Sequence, residues 1–279
     1  QQLPEVYKET GGFLITRSQY ITENNRIGSN VHLFELTDKE SIDIDTYADW
    51  GLCQYYLQRK FILFVVSGNS EIGLGHVYNT LILANDLVQH DVTFLVDCNS
   101  ELAFEKISKK NYPVYIQQSK ELFEDIKRLN PDVVINDCLD TDLEYIQNIV
   151  DYGIKVINFE DLGKGADKAD LVINAIYPDD NNNPDHYFGH KYFLLRDEFV
   201  LTPSKPVMRN VKKVLVSFGG VDPNNYTDKV LTSIYNFCQN NGIEINVVTG
   251  FGYKNHDSLI KFDKIKIHNN IANISDYMH

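Results

Sequence analysis

The apolar positions of this chain fall into two regimes. Between residues 61 and 176, short apolar and largely β-branched runs recur: FILFVV (61–66), VTFLVD (92–97), DVVIND (132–137), KVINFE (155–160) and LVINAI (171–176). Between most of them lie longer stretches with helical spacing, around 76–90, 99–110, 119–129 and 141–152. Strands covered on both faces read as unbroken apolar runs, and strands alternating with helices require right-handed crossovers and a parallel sheet. The pattern predicts a Rossmann-like domain over 61–205. It is expected to end with a polar loop, YPDDNNNPDHYFGHK (177–191), a further strand in YFLLRDEF (192–199) and a linker, TPSKP (202–206). A second alternation begins at VKKVLVSFGG (211–220), with a helix over 226–240, a strand in INVVTG (245–250), a helix-like DSLIKF (257–262) and a strand in IKIHN (265–269). This is an incomplete second Rossmann-like domain over 206–279, and the chain reads as cut at its C-terminus.

Residues 1–60 do not alternate in this way. GGFLIT (11–16) and VHLFEL (31–36) are strand candidates, and ESIDIDTYADWGLCQYYLQRK (40–60) reads as a turn followed by a helix. So short a segment, poor in core residues, is marginal as an independent fold. It reads as the tail of a larger domain.

Composition narrows the function classes. The net charge of −13 argues against a broad nucleic-acid surface, which needs clustered Lys and Arg. It leaves room for an anionic small ligand, because backbone N–H groups at a helix start bind phosphate inside an acidic protein. No apolar run approaches the roughly 18–20 residues of a membrane span, and QQLPEVYKETGG carries no signal-peptide pattern. Cys53, Cys98, Cys138 and Cys238 are scattered, with no C-x-x-C pair, which argues against a zinc site or a disulfide scaffold. The expectation is a cytoplasmic enzyme-like chain.

The stretch GNSEIGLGHVYN (68–79) stands where the first strand hands over to a helix. Glycines such as Gly73 and Gly75 let the backbone bend and a ligand approach the helix N-terminus. His76 falls at that N-terminus, where the helix dipole is expected to lower its pKa and keep a neutral imidazole ready to accept a proton. The bland alternative is a tight turn whose histidine caps or packs. Neither the dinucleotide fingerprint G-x-G-x-x-G nor a P-loop is matched. A second turn, VSFGGVDPNNYTDKVL, places Gly219, Gly220 and Asp222 before the next helix. Asp222 is there either for an anionic ligand or as an ordinary helix cap. Asp43 and Asp45 in SIDIDT (41–46), two apart on an extended segment, point the same way and suit Mg²⁺, or form an exposed acidic strand end. Asp137, Glu160 and Asp161 follow predicted strands and share a carboxyl edge with His76, with position as their warrant. Arg196 offers a bidentate clamp or a surface ion pair. His186, His190, His256 and His268 read as surface residues.

Residues 61–279 resemble the UDP-sugar hydrolases of the pseudaminic acid pathway, which have the glycosyltransferase-B fold. The resemblance is carried by IGLGHV (72–77), ADLVIN (169–174), YFLLRDEF (192–199), LVSFGGVDPNNYTDKVL (215–231) and VVTG (247–250). It implies an α/β chain of two Rossmann-like domains and removal of UDP from a UDP-linked diacetamido-trideoxyhexose. His76, the position that matches the family's histidine, would activate water, with no cofactor. Read from position and pattern rather than from the resemblance, Gly73, Gly75, Asn79, Asp137, Arg196, Gly219, Gly220 and Asp222 are the expected substrate-binding residues. Residues 1–60 resemble the C-terminal end of CMP-sialic acid synthetases, through QQLPEVYKETGGFLITR and SIDIDTYADW. That resemblance implies a bifunctional fusion in nonulosonic (sialic acid-like) acid biosynthesis, cut at both ends. It implies Mg²⁺ at Asp43 and Asp45 in an intact cytidylyltransferase, and a homodimer.

The sequence also departs from these patterns. The hydrolases carry Arg three residues after the histidine, where this chain has Asn79, and an aromatic residue near the position of Cys138. Their uridine-binding segment would follow residue 279. The alternatives to hydrolysis are a glycosyltransferase using a UDP-sugar donor, with the same base deprotonating an acceptor hydroxyl, and a docking or dimerisation module that has lost catalysis.

Overall fold

A computed structural model describes residues 6–37, 39–178, 183–202, 209–271 and 273–278. The chain divides into two compact units, Gln1–Arg59 and Lys60–His279.

In the first unit, the helix α1 (Tyr47–Gln58) starts at Thr46 through a reciprocal cap. Thr46 accepts from the Asp49 N–H, and Asp49 accepts from the Thr46 N–H at 2.8 Å. Among the described residues of this unit there is no strand and no fully buried residue. The strands expected in GGFLIT and VHLFEL are therefore corrected to irregular chain. A period-2 pattern makes a strand when a partner ladder and a covering face exist, and here Ile15, Leu33 and Phe34 stay largely exposed. The cytidylyltransferase expectation gains no support from this architecture.

The second unit is built on two parallel sheets. The larger contains β1 (Phe61–Val66), β2 (Asp91–Val96), β3 (Val114–Ile116), β4 (Val133–Asp137), β5 (Lys155–Phe159), β6 (Leu171–Asn174) and β7 (His186–Phe188), in the order β3-β2-β1-β4-β5-β6-β7. β1 pairs with β2 on one side and β4 on the other, Val66 lying opposite both Val96 and Asp137. Its last five residues are all buried, as a central parallel strand requires. The helix α2 (Gly75–Asp86) lays Val77, Thr80, Leu81 and Ala84 onto this strand, the i, i+3, i+4, i+7 spacing of a single covered face. Gly68 is needed for that contact: a Cβ there would stand 2.9 Å from Val77 Cγ2. The helices α3 (Glu101–Ser108), α4 (Leu122–Leu129) and α5 (Leu143–Asp151) complete the two covering layers.

Two readings of this region are corrected. The loop over 177–191 contains edge strand β7, and residues 179–182 lie outside the described residues. YFLLRDEF is not a strand: β7 already occupies that edge of the sheet, and the segment turns into the short helix α6 (Asp197–Leu201). Most of the expected linker (203–206) lies outside the described residues.

The smaller sheet has the order β10-β9-β8, from β8 (Lys213–Ser217), β9 (Glu244–Thr249) and β10 (Ile265–Asn269). α7 (Tyr226–Asn240) buries Thr227, Leu231 and Cys238 against it, and α8 (Ser275–Met278) follows β10. The helix expected in DSLIKF is a 3₁₀ turn, His256–Leu259.

Candidate functional site

The order of the larger sheet reverses between β1 and β4. In open α/β sheets, ligands bind at such a reversal, beyond the carboxyl ends of the strands. The chain leaving β1 enters a tight turn stabilised by Asn69, whose side-chain oxygen accepts from the N–H groups of Glu71 (2.8 Å) and Ile72 (3.1 Å). Gly73 closes the turn with φ +85°, a conformation that favours glycine, and donates to the Asn69 carbonyl at 2.9 Å. α2 then starts at Leu74 with no side-chain cap, so its first-turn N–H groups are not taken up by one.

His76 lies in this first turn and Asp137 ends β4. Their contact is the centre of the site: His76 Nδ1 stands 2.5 Å from Asp137 Oδ1, the carboxylate almost wholly buried and the imidazole largely so. With the carboxylate accepting, the proton sits on Nδ1 and Nε2 carries the lone pair. The hydrogen bond from Asp137 raises the His76 pKa above its ordinary 6.5. Burial opposes the rise, and the charges of Asp137 and Glu160 add to it. The expectation that the helix dipole lowers this pKa is overturned, because a buried carboxylate in direct contact outweighs partial charges on backbone amides. Burial pushes the Asp137 carboxyl up while His76 pulls it down.

His76, Gly75 and Asn79 face a cavity of about 250 Å³. The opposite wall is apolar and aromatic, with Phe159, Ile176, Tyr192 and Phe193 among its residues. Glu160 interrupts that wall. It follows β5 with φ +50°, rare for a residue with a side chain, and its carboxylate accepts from the N–H groups of Ala175 at 3.0 Å and Ile176 at 3.4 Å. Burial is the largest influence on its pKa and raises it. Beside the dyad, burial pushes the Cys138 thiol up to about 12, which leaves it an unreactive packing group.

The turn also meets the smaller sheet. A second cavity, of about 400 Å³, is lined by Ser70 and Glu71 from the first turn and by Val221, Asp222, Gly252 and Lys254 from the second. Gly219 takes φ +72°, and Gly250 passes so close to Gly220 that a Cβ on Gly250 would stand 2.4 Å from the Gly220 Cα.

Of the site residues expected from sequence, the structure brings His76, Asp137, Gly75 and Asn79 together, and sets Gly73, Gly219, Gly220 and Asp222 in the two facing turns. Asp222 takes the capping alternative. Its carboxylate accepts from the N–H groups of Tyr226 and Thr227, each at 2.8 Å, and from the Thr227 hydroxyl at 2.7 Å, so the helix already uses its charge. Arg196 is drawn away from the clamp role: it pairs with Glu198 at 2.8 Å and lies near the Tyr78 ring. Asp161 is buried beneath the site, accepting from Thr141, Asn158 and Gly163, and serves the local fold. Asp43 and Asp45 are exposed, and among the described residues no group of three or more His, Cys, Asp or Glu side chains is arranged for a metal ion. His186 and His268, expected at the surface, are half-buried; His186 Nε2 lies 3.3 Å from the Ala166 carbonyl and His268 Nε2 3.0 Å from Asn246 Oδ1. Among the described residues, no helix is long and apolar enough to cross a membrane.

No family model matches this sequence. The uncharacterized protein MJ1062 of Methanocaldococcus jannaschii is 33% identical in an alignment of 241 positions that covers 78% of this chain and 49% of that relative. The chain thus spans about half the length of the curated relative it matches. Among solved structures, Anabaena Alr3699/HepE in complex with UDP and glucose is similar with a TM-score of 0.51 and 12% identity, over 79% of this chain and 72% of that one. MurG of Acinetobacter baumannii gives 0.46 and 14%, over 77% and 69%. The likeness to HepE is one of fold: two parallel Rossmann-like sheets in the glycosyltransferase-B arrangement.

Proposed function

We propose that residues 60–279 form a nucleotide-sugar enzyme module in which His76 is the general base and the transferred group comes from a UDP-sugar. The observation that carries this reading is the His76–Asp137 pair, set at the sheet reversal on the wall of a ligand-sized cavity. The fold shared with HepE, a protein solved with UDP and glucose, supports the ligand class.

The chemistry follows from the geometry. Nε2 takes the proton of an attacking hydroxyl, the oxygen–C1 bond forms, and the C1–oxygen bond to the diphosphate breaks, its electron pair leaving with UDP. Asp137 stabilises the imidazolium as it forms, and Glu160 adds a second negative charge nearby. The first-turn N–H groups of α2, with the helix dipole, suit the anionic leaving group. Transfer to an acceptor hydroxyl is the first reading, supported by the fold shared with HepE, a protein solved with UDP and glucose. Hydrolysis, in which water takes the acceptor's place, is the second reading, supported by the resemblance of the glycine–His turn to the UDP-sugar hydrolases. Within those, the diacetamido-trideoxyhexose and the fused cytidylyltransferase with Mg²⁺ at Asp43 and Asp45 rest on the resemblance.

The test is UDP release by the full-length protein from a panel of UDP-sugars, with and without sugar and lipid acceptors. Release that requires an acceptor identifies the transferase, and release in water alone the hydrolase. Replacement of His76 by Ala is expected to lower either rate by at least ~10²-fold, the scale of general-base loss. Full activity in that variant would refute the assignment.

A further inference from the structure

Glu160 is the charged group in the cavity wall facing the dyad, and nothing in the proposed chemistry yet gives it a ligand. Its position is constrained at three points. The backbone holds φ +50° where β5 ends, a left-handed conformation that the surrounding structure must stabilise. Both carboxylate oxygens are anchored to N–H groups beyond β6, at Ala175 and Ile176. Among the described residues no Lys or Arg forms an ion pair with it. The walls around it, Phe159, Ile176 and Phe193 among them, are apolar.

A carboxylate whose two oxygens both accept in this way has further lone pairs to offer. Its natural partner in the cavity is a hydrogen-bond donor: a hydroxyl or an amide N–H on an otherwise apolar-faced ring. An anion there would meet like charge inside low-dielectric walls, a repulsive arrangement that discriminates against it. From the geometry we infer that Glu160 is a specificity-determining residue. It selects, for the sugar ring of the donor, an uncharged sugar rich in hydroxyl or amide donors, and rejects sugars bearing a carboxylate. The inference rests on the nucleotide-sugar reading of the site and names its substrate class.

Binding tests it without requiring turnover. Dissociation constants for UDP-glucose and UDP-glucuronate are measured by calorimetry on the full-length protein and on two variants. Glu160→Gln removes the charge while keeping an oxygen for the Ala175 N–H, and Glu160→Asp keeps the charge on a shorter arm; thermal melts verify that both fold. The wild type is expected to prefer the neutral sugar by at least ~10-fold, about 1.4 kcal/mol. The Gln variant should reduce that ratio below about threefold, and the Asp variant should retain most of it. A preference that survives in the Gln variant overturns the inference, and so does equal binding of both sugars by the wild type, even with the nucleotide-sugar reading intact. If the wild type binds neither UDP-sugar, that reading falls, and the inference with it.

Discussion

Replacing Asp137 by Asn tests whether the buried pair is a catalytic device. The substitution is nearly isosteric and keeps a side-chain oxygen to accept from His76 Nδ1–H, so the imidazole stays oriented while the charge disappears. Two effects should follow together. The hydrogen bond from Asp137 is the largest influence raising the His76 pKa, and the charge of Asp137 adds to it; burial, which remains, acts the other way. His76 works as a base when unprotonated, so kcat/KM should rise with pH through its pKa. The wild-type limb therefore lies above 6.5, and in Asp137→Asn it moves to lower pH. On the high-pH plateau, where both enzymes carry neutral histidine, the variant lacks the carboxylate that stabilises the forming imidazolium. The plateau should fall ~10²- to 10⁴-fold, about 3–5 kcal/mol of transition-state stabilisation. The assay is a pH series of UDP release under kcat/KM conditions, with a melting curve to establish that the variant is folded. A limb that stays in place, or a plateau within about threefold of wild type, would show that His76 does not draw its basicity from Asp137.

The two facing turns give further expectations. In Gly250→Ala the new Cβ would stand 2.4–2.7 Å from Gly220 backbone atoms. Urea denaturation should show a loss of roughly 1–3 kcal/mol, the cost of overpacking, and a loss below ~0.5 kcal/mol would mean that the two strand ends separate freely. Asp222→Ala should cost ~0.5–2 kcal/mol through the lost cap of α7. Asp222→Asn, which keeps a cap acceptor, should leave UDP-sugar affinity within about twofold; a ~10-fold loss there would return a ligand role to the carboxylate.

Much of the second unit was legible because its signals are local. β1 is an unbroken apolar run, α2 shows its covered face at helical spacing, and the Pro223–Asn225 turn announces α7. The His76 turn was legible for the same reason, since glycines between a strand and a helix constrain the backbone within a dozen residues. What escaped was set by distance or context. β7 is three residues long and lies in a polar, proline-bearing stretch, so it forms because β6 presents an open edge. YFLLRDEF has strand-forming residues but no free edge to join. Position on the carboxyl edge pointed to Asp137 and Glu160, but not to their roles. Asp137 is 61 residues from His76 and becomes its partner through the β1–β4 pairing, and Glu160 gains its meaning from N–H groups beyond another strand. The pKa of His76 follows the same rule: the dipole is written in the local sequence, and the carboxylate that overrides it lies 61 residues away.

The shape of the site bears on what occupies it. Hydrolysis needs one water at Nε2, and a water occupies about 30 Å³ of liquid. The cavity beside His76 is several times larger, about 250 Å³, and its far wall is aromatic and aliphatic, which gives water few partners. Such a space favours an organic ring with one apolar face, held at its polar edge by Glu160 and Asn79. If that ring is the donor sugar, C1 lies near Nε2 and the attacking oxygen must enter beside His76. Both readings then share the same base and the same leaving group, and differ in what comes through that entrance. The dependence of UDP release on an added acceptor is therefore the decisive variable. The His76 and Asp137 variants should suppress release equally whether the entering oxygen belongs to water or to a second sugar.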